Sequence, residues 1–131
     1  MLSLNIPDIL KKYSTVAVVG LSPKENRPSN QVARYLMEAG YKIIPVNPGQ
    51  TEILGRKCYP NLVSIPEPVD IVDIFRKSED VPQIVDDAIQ IEAKVVWMQL
   101  GIVHEEAARK AASAGLAVVM DRCIKIDHMN M

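Results

Sequence analysis

The sequence predicts a small, doubly wound α/β domain, a parallel sheet of about five strands with helices on both faces. Five apolar runs rich in β-branched residues recur along the 131-residue chain: Thr15–Val19, Lys42–Val46, Asp70–Phe75, Lys94–Met98 and Ala117–Met120. None alternates with period two, and strands covered on both faces have no reason to. Helical stretches separate most of them, and strand alternating with helix implies a parallel sheet joined by right-handed crossovers.

The elements follow in order. Residues 5–13, NIPDILKKY, read as an amphipathic helix ahead of the first strand. After that strand, Ser29 suits a helix N-cap, Val32, Ala33, Leu36 and Met37 form an apolar stripe, and Gly40 supplies a stop. Between Pro48 and Pro68 there are four prolines and no helical stripe. The one candidate strand there is the short RKCYP segment, expected at a sheet edge because proline is tolerated there. Val81–Glu92 carries Ile84, Val85, Ala88 and Ile89 on one face and Asp86 and Asp87 on the other. Glu105–Ala114 opens with two glutamates, has Lys110 near its end and stops at Gly115, matching the helix dipole.

Composition narrows the function classes. With 48% hydrophobic residues, the chain has material for one core, and residues 1–131 read as a single domain. A net charge of −1 excludes a nucleic-acid binder that works by bulk positive charge, so an anion site must be built from local cations. No apolar stretch is long enough to span a membrane. The opening MLSLNIPDILKKY lacks the apolar core of a secretory signal. Cys58 and Cys123 are too few for a disulfide framework and too far apart for a metal knuckle; they suit a reducing, cytoplasmic setting.

In a doubly wound sheet, ligands bind beyond the carboxyl ends of the strands, where the strand order reverses. If the first strand is central, that crevice collects Gly20–Ser29, Asn47, Phe75–Ser78 and Gln99–Gly101. These loops are polar, cationic and glycine-containing where the strands are apolar. Backbone N–H groups at Gly20–Ser22 and at the following helix start are expected to cradle phosphate, with Lys24 and Arg27 adding charge. A simple NAD site fits poorly. The glycine loop reads GLSPKENRPS, without the second and third fingerprint glycines, and the second strand ends IIPVNP with no acid for a ribose. A missing acid leaves NADP open.

The segments VAVVGLSPKENRPS, GYKIIPVNP, VDIVDIFRKSEDVP, WMQLGI and VVMDRCIKI, in that order, resemble a family of small stand-alone bacterial and archaeal CoA-binding proteins. These are similar to the CoA-binding domain of the succinyl-CoA synthetase α subunit. The resemblance spans about residues 7–126 and implies a Rossmann-like fold with coenzyme A, or an acyl-CoA, as ligand. Carried over, the glycine loop is Gly20, Leu21, Ser22 and Pro23, with Arg27, Pro28 and Ser29 completing its far side. The second-strand motif is Pro45, Val46, Asn47 and Pro48. Phe75, Arg76, Lys77 and Ser78 end the next strand of the crevice, and Gln99, Leu100 and Gly101 close it. Such residues suit CoA, whose diphosphate and 3′-phosphate need N–H and cationic donors and whose adenine needs a flat apolar slot.

No catalytic or metal-binding residue is identified. The phosphorylated histidine of the synthetase belongs to a further domain. His104 reads as a helix-start residue, and His128, in the terminal DHMNM, is expected to fray. Cys123 reads as a small buried hydrophobe, Trp97 as core, and Phe75 as a core residue placed to touch a ligand. A non-catalytic module that binds, carries or senses CoA is the leading expectation. The alternatives are an NADP- or acyl-CoA-dependent enzyme and a regulatory subunit of a partner enzyme. Oligomeric state is not legible.

Overall fold

The computed structural model describes residues 5–131. Helix α1, Ile6–Lys12, is capped by the Asn5 side chain, which accepts from the Asp8 N–H at 3.0 Å, and buries Ile9 and Leu10. Strand β1, Thr15–Val19, follows, with the Ser14 and Thr15 N–H groups held by the Asp70 carboxylate. Next come α2 (Pro28–Glu38), β2 (Lys42–Val46) and a tiny hairpin of β3 (Glu52–Ile53) with β4 (Arg56–Lys57). Strand β5 (Ile71–Ile74), α3 (Val81–Gln90), β6 (Val95–Met98), α4 (Glu105–Ser113), β7 (Ala117–Val119) and α5 (Ile124–Met129) complete the chain.

Five strands form one parallel sheet in the order β2-β1-β5-β6-β7. Strand β1 therefore lies between β2 and β5, and the order reverses there. Alternate residues build two cores. Ala17, Val19, Val72, Ile74, Val96 and Met98 face α3, α4 and the turn at Leu62–Ser64. Val16, Val18, Ile71, Val95 and Trp97 face α1, α2 and α5. Among the described residues no helix is long and apolar enough to cross a membrane.

Three expectations need correction. The RKCYP segment does not add a strand to the edge of the main sheet. Arg56–Lys57 pairs antiparallel with Glu52–Ile53, outside that sheet, and Tyr59 makes one parallel bridge to Val46. The left-handed turn at Leu54 and Gly55 folds the segment back on itself, and Pro60, with no N–H, bounds what remains. Ser29 is not the N-cap of α2. Pro28, with its preset φ, occupies the first helical turn, Arg27 is the N-cap residue, and the Ser29 side chain turns to the glycine loop instead. Finally, the carboxyl-terminal segment does not fray. His128 is wedged edge-on against the rings of Tyr35 and Tyr41, and its Nδ1 shares a 2.6 Å hydrogen bond with the Tyr35 hydroxyl.

Candidate functional site

The carboxyl ends of β1, β2 and β5 meet around Gly20. Its N–H donates to the Val46 carbonyl at 2.8 Å, and the Phe75 N–H donates to the Val19 carbonyl at 2.9 Å, so three strand ends are tied together. Gly20 has φ +89°, and a Cβ there would lie 2.9 Å from both the Phe75 carbonyl oxygen and Cδ of Arg76. Only glycine fits, for conformation and for space. Arg76 thus lays its aliphatic stem across Gly20.

The loop beyond Gly20 is braced from inside. The Ser22 N–H donates to Ser29 Oγ, the Lys24 N–H donates to Ser22 Oγ, and Asn30 Nδ2 donates to the Ser22 carbonyl. Arg34 reaches back to Asn30 Oδ1 and the Glu25 carbonyl. Asn30 is fully buried, and neither it nor Arg34 stands out in the sequence, because their partners lie in a loop that only folding brings close. Two of the three N–H groups at Gly20–Ser22 are therefore already used within the protein, leaving the charged side chains as the outward donors. Lys24 and Arg27 are exposed at the mouth of a cavity of about 500 Å³, lined also by Gly20, Ser22, Pro28, Ser29 and Phe75.

A second cavity, of about 290 Å³, lies on the opposite face of the sheet end. Val19, Val46, Pro48, Pro60 and Leu62 give it an apolar lining; Asn61, Arg76, Glu79, Asp80, Gln83 and Asp87 supply polar groups. Sequence reasoning missed Pro60–Leu62 and the α3 residues Gln83, Ile84 and Asp87. Proline density in 48–68 was the available signal: a turn stiff enough to wall a slot leaves no periodicity. Arg76 Nε stands 3.4 Å from Asp80 Oδ2, across this second cavity's rim.

The other expected site residues are placed as follows. Asn47 spends its side chain on the scaffold, donating to the Leu21 carbonyl and accepting from the Gly49 N–H. Lys77 is exposed and lines neither cavity. Gln99 is buried, with its carbonyl oxygen accepting from the Ile124 N–H, and the Gly101 N–H donates to Asp121 at 2.6 Å. His104 caps α4 by accepting from the Ala107 N–H. Cys123 is the half-buried residue preceding α5, and the buried Cys58 has its thiol pushed up by desolvation. Among the described residues no cluster of three or more acidic, histidine or cysteine side chains could hold a metal.

One buried group escaped sequence analysis altogether. Asp73 sits mid-strand in β5, between Val18 and Trp97 in register, with no solvent exposure. Neither carboxylate oxygen has a hydrogen-bond partner, and desolvation holds its pKa well above the usual carboxylate range. It lies one pleat below Phe75, which lines the larger cavity.

The sheet is of the doubly wound class and opens a polar, cationic crevice at its switch point, the place where ligands bind in such sheets. The chain belongs to the CoA binding domain family, whose profile matches residues 14–129. It is 43% identical over 123 residues to the uncharacterized protein YneT of Bacillus subtilis, covering 94% of this chain and 91% of that one. It is also 32% identical to acetate–CoA ligase (ADP-forming) I of Archaeoglobus fulgidus, but the match covers 83% of this chain and 17% of the ligase. A hypothetical protein from Pyrococcus horikoshii superimposes with a TM-score of 0.93 at 44% identity, covering 97% of this chain and 92% of that one.

Proposed function

We propose that the chain binds coenzyme A, or an acyl-CoA, across the carboxyl ends of β2, β1 and β5, as a binding, carrying or sensing module. The observation that carries this reading is the pair of cavities flanking Gly20, one cationic and one with an apolar wall and a charged rim, in a member of a CoA binding domain family. CoA has the matching division. Its diphosphate suits Lys24 and Arg27 beside the start of α2, where the helix dipole adds positive potential. Its adenine suits the slot between Pro48 and Leu62. Leu21 and Pro23 shape the loop, and Phe75 is the apolar floor. Asn47, Ser29, Gln99 and Gly101 hold the loops in place in this reading, while Arg76 is the cation of the adenine slot.

Calorimetric titration tests the reading. CoA is expected to bind one-to-one, with NAD much weaker, and Arg27→Ala to weaken CoA about ten- to hundredfold, the cost of one charge-assisted contact. No heat with CoA, or tighter binding of NAD, overturns the assignment. Wild-type affinity in Arg27→Ala overturns the placement of the diphosphate.

A further inference from the structure

The smaller cavity contains a conflict of charge. Arg76 is the one cation among its lining residues, and it shares the rim with Glu79, Asp80 and Asp87. Its stem passes beside Gly20, which sets its head at this edge of the sheet. That head is engaged with Asp80, four residues on, where the turn at Ser78–Asp80 leads into α3. Both side chains are roughly half-exposed, at 43% and 37%, so the pair is weak enough to be exchanged. Asp80 is the N-cap residue of α3 but makes no capping hydrogen bond, so its charge meets the helix only through the dipole, and asparagine is an equally good residue at that position.

Building on the CoA reading, we propose that Asp80 is an internal competitor for Arg76, and that the phosphate on the ligand's ribose binds by taking Arg76 from it. The slot then discriminates among adenine ligands. A ligand with a ribose 3′-phosphate exchanges one anionic partner of Arg76 for a better one, since phosphate offers more acceptor oxygens and more charge. A ligand without it leaves the Arg76–Asp80 pair intact and gains nothing from the only cation there. Asp80 thereby sets affinity for the phosphorylated ligand without touching it.

The test is a double-mutant cycle at Arg76 and Asp80, read with CoA and with 3′-dephospho-CoA in parallel titrations. Asp80→Asn is expected to tighten CoA about two- to fivefold, the range set by an exposed ion pair, and to leave dephospho-CoA unchanged. In an Arg76→Ala background the same substitution is expected to do nothing for either ligand. Equal tightening in both backgrounds means that Asp80 repels the ligand through space, and overturns the proposal. So does equal tightening of both ligands, or none. Failure of wild type to bind CoA at all would instead remove the underlying reading, which the unsubstituted protein reports separately. Circular dichroism of each variant confirms that the fold is retained.

Discussion

At the residue scale, Asp73 stands out among the described residues as the one whose buried side-chain polar atoms have no hydrogen-bond partner. A carboxyl with both oxygens buried and unpartnered is tolerated only in its neutral form, because an unpaired ionised carboxylate in such a site is severely penalised. Its folded pKa is raised, so the folded state holds a proton that the unfolded chain releases near the ordinary value of 3.8. The contribution of this group is therefore fully present below that value and is lost as pH rises toward the folded pKa, by up to about 1.4 kcal/mol per pH unit. Asp73→Asn removes the titration while keeping size. The stability of the variant relative to wild type is expected to climb from pH 4 upward and then level off, measured by urea denaturation at each pH. Parallel curves for the two proteins would mean that Asp73 carries no raised pKa. In the sequence this residue hides inside VDIVDIF, the second of two acids in an apolar run, and nothing there says that Asp70 holds backbone N–H groups while Asp73 is buried without a partner.

At the element scale, the short terminal helix α5 shows how much a tertiary contact adds to weak local preference. Six residues cannot hold a helix alone in water. Ile124 is fully buried, its N–H is held by Gln99, and Arg122 pairs with Asp127. His128 completes the docking by filling the angle between Tyr35 of α2 and Tyr41 at the start of β2's approach. His128→Ala removes one hydrogen bond and two edge-to-face aromatic contacts, and is expected to cost about 1–3 kcal/mol. Chemical denaturation checks the size, and hydrogen exchange in 124–129 should rise more than in the sheet. An unchanged midpoint would mean that Ile124, Gln99 and the Arg122–Asp127 pair anchor the helix without His128. Fraying was the natural expectation for DHMNM because the two tyrosines lie 87 to 93 positions away, and no local pattern announces them.

At the scale of the whole molecule, the fold was legible because each strand repeats the same statement: an apolar run, a polar loop, a helical stripe. The meeting of the glycine loop with Phe75 and Arg76 was legible with it, since topology alone brings the ends of β1 and β5 together. What could not be read was the division of labour among the loop residues. Asn47 and Gln99 are polar residues at strand ends and Ser29 at a helix start, as ligand contacts would be, yet their side chains close hydrogen bonds within the protein. Only coordinates distinguish a donor aimed outward from one already satisfied. The distinction has a consequence for stability. The proposed ligand contacts, Lys24 and Arg27, are exposed and carry little of the fold, whereas the braces carry much of the loop. CoA at a hundred times its dissociation constant is expected to add about 2.7 kcal/mol, a rise in melting temperature of about 10 °C for a chain of this size. Arg27→Ala should melt within a degree or two of wild type when empty, because exposed loop substitutions usually change stability by less than about 0.5 kcal/mol. With CoA at that same concentration, its rise should be much smaller than that of wild type. Ser29→Ala should behave in the opposite way, lowering the melting temperature of the empty protein because the Ser22 N–H loses its acceptor. Differential scanning calorimetry of the three proteins, with and without CoA, separates the two roles. If Arg27→Ala melts early without ligand, or Ser29→Ala does not, the division between contacts and braces is wrong.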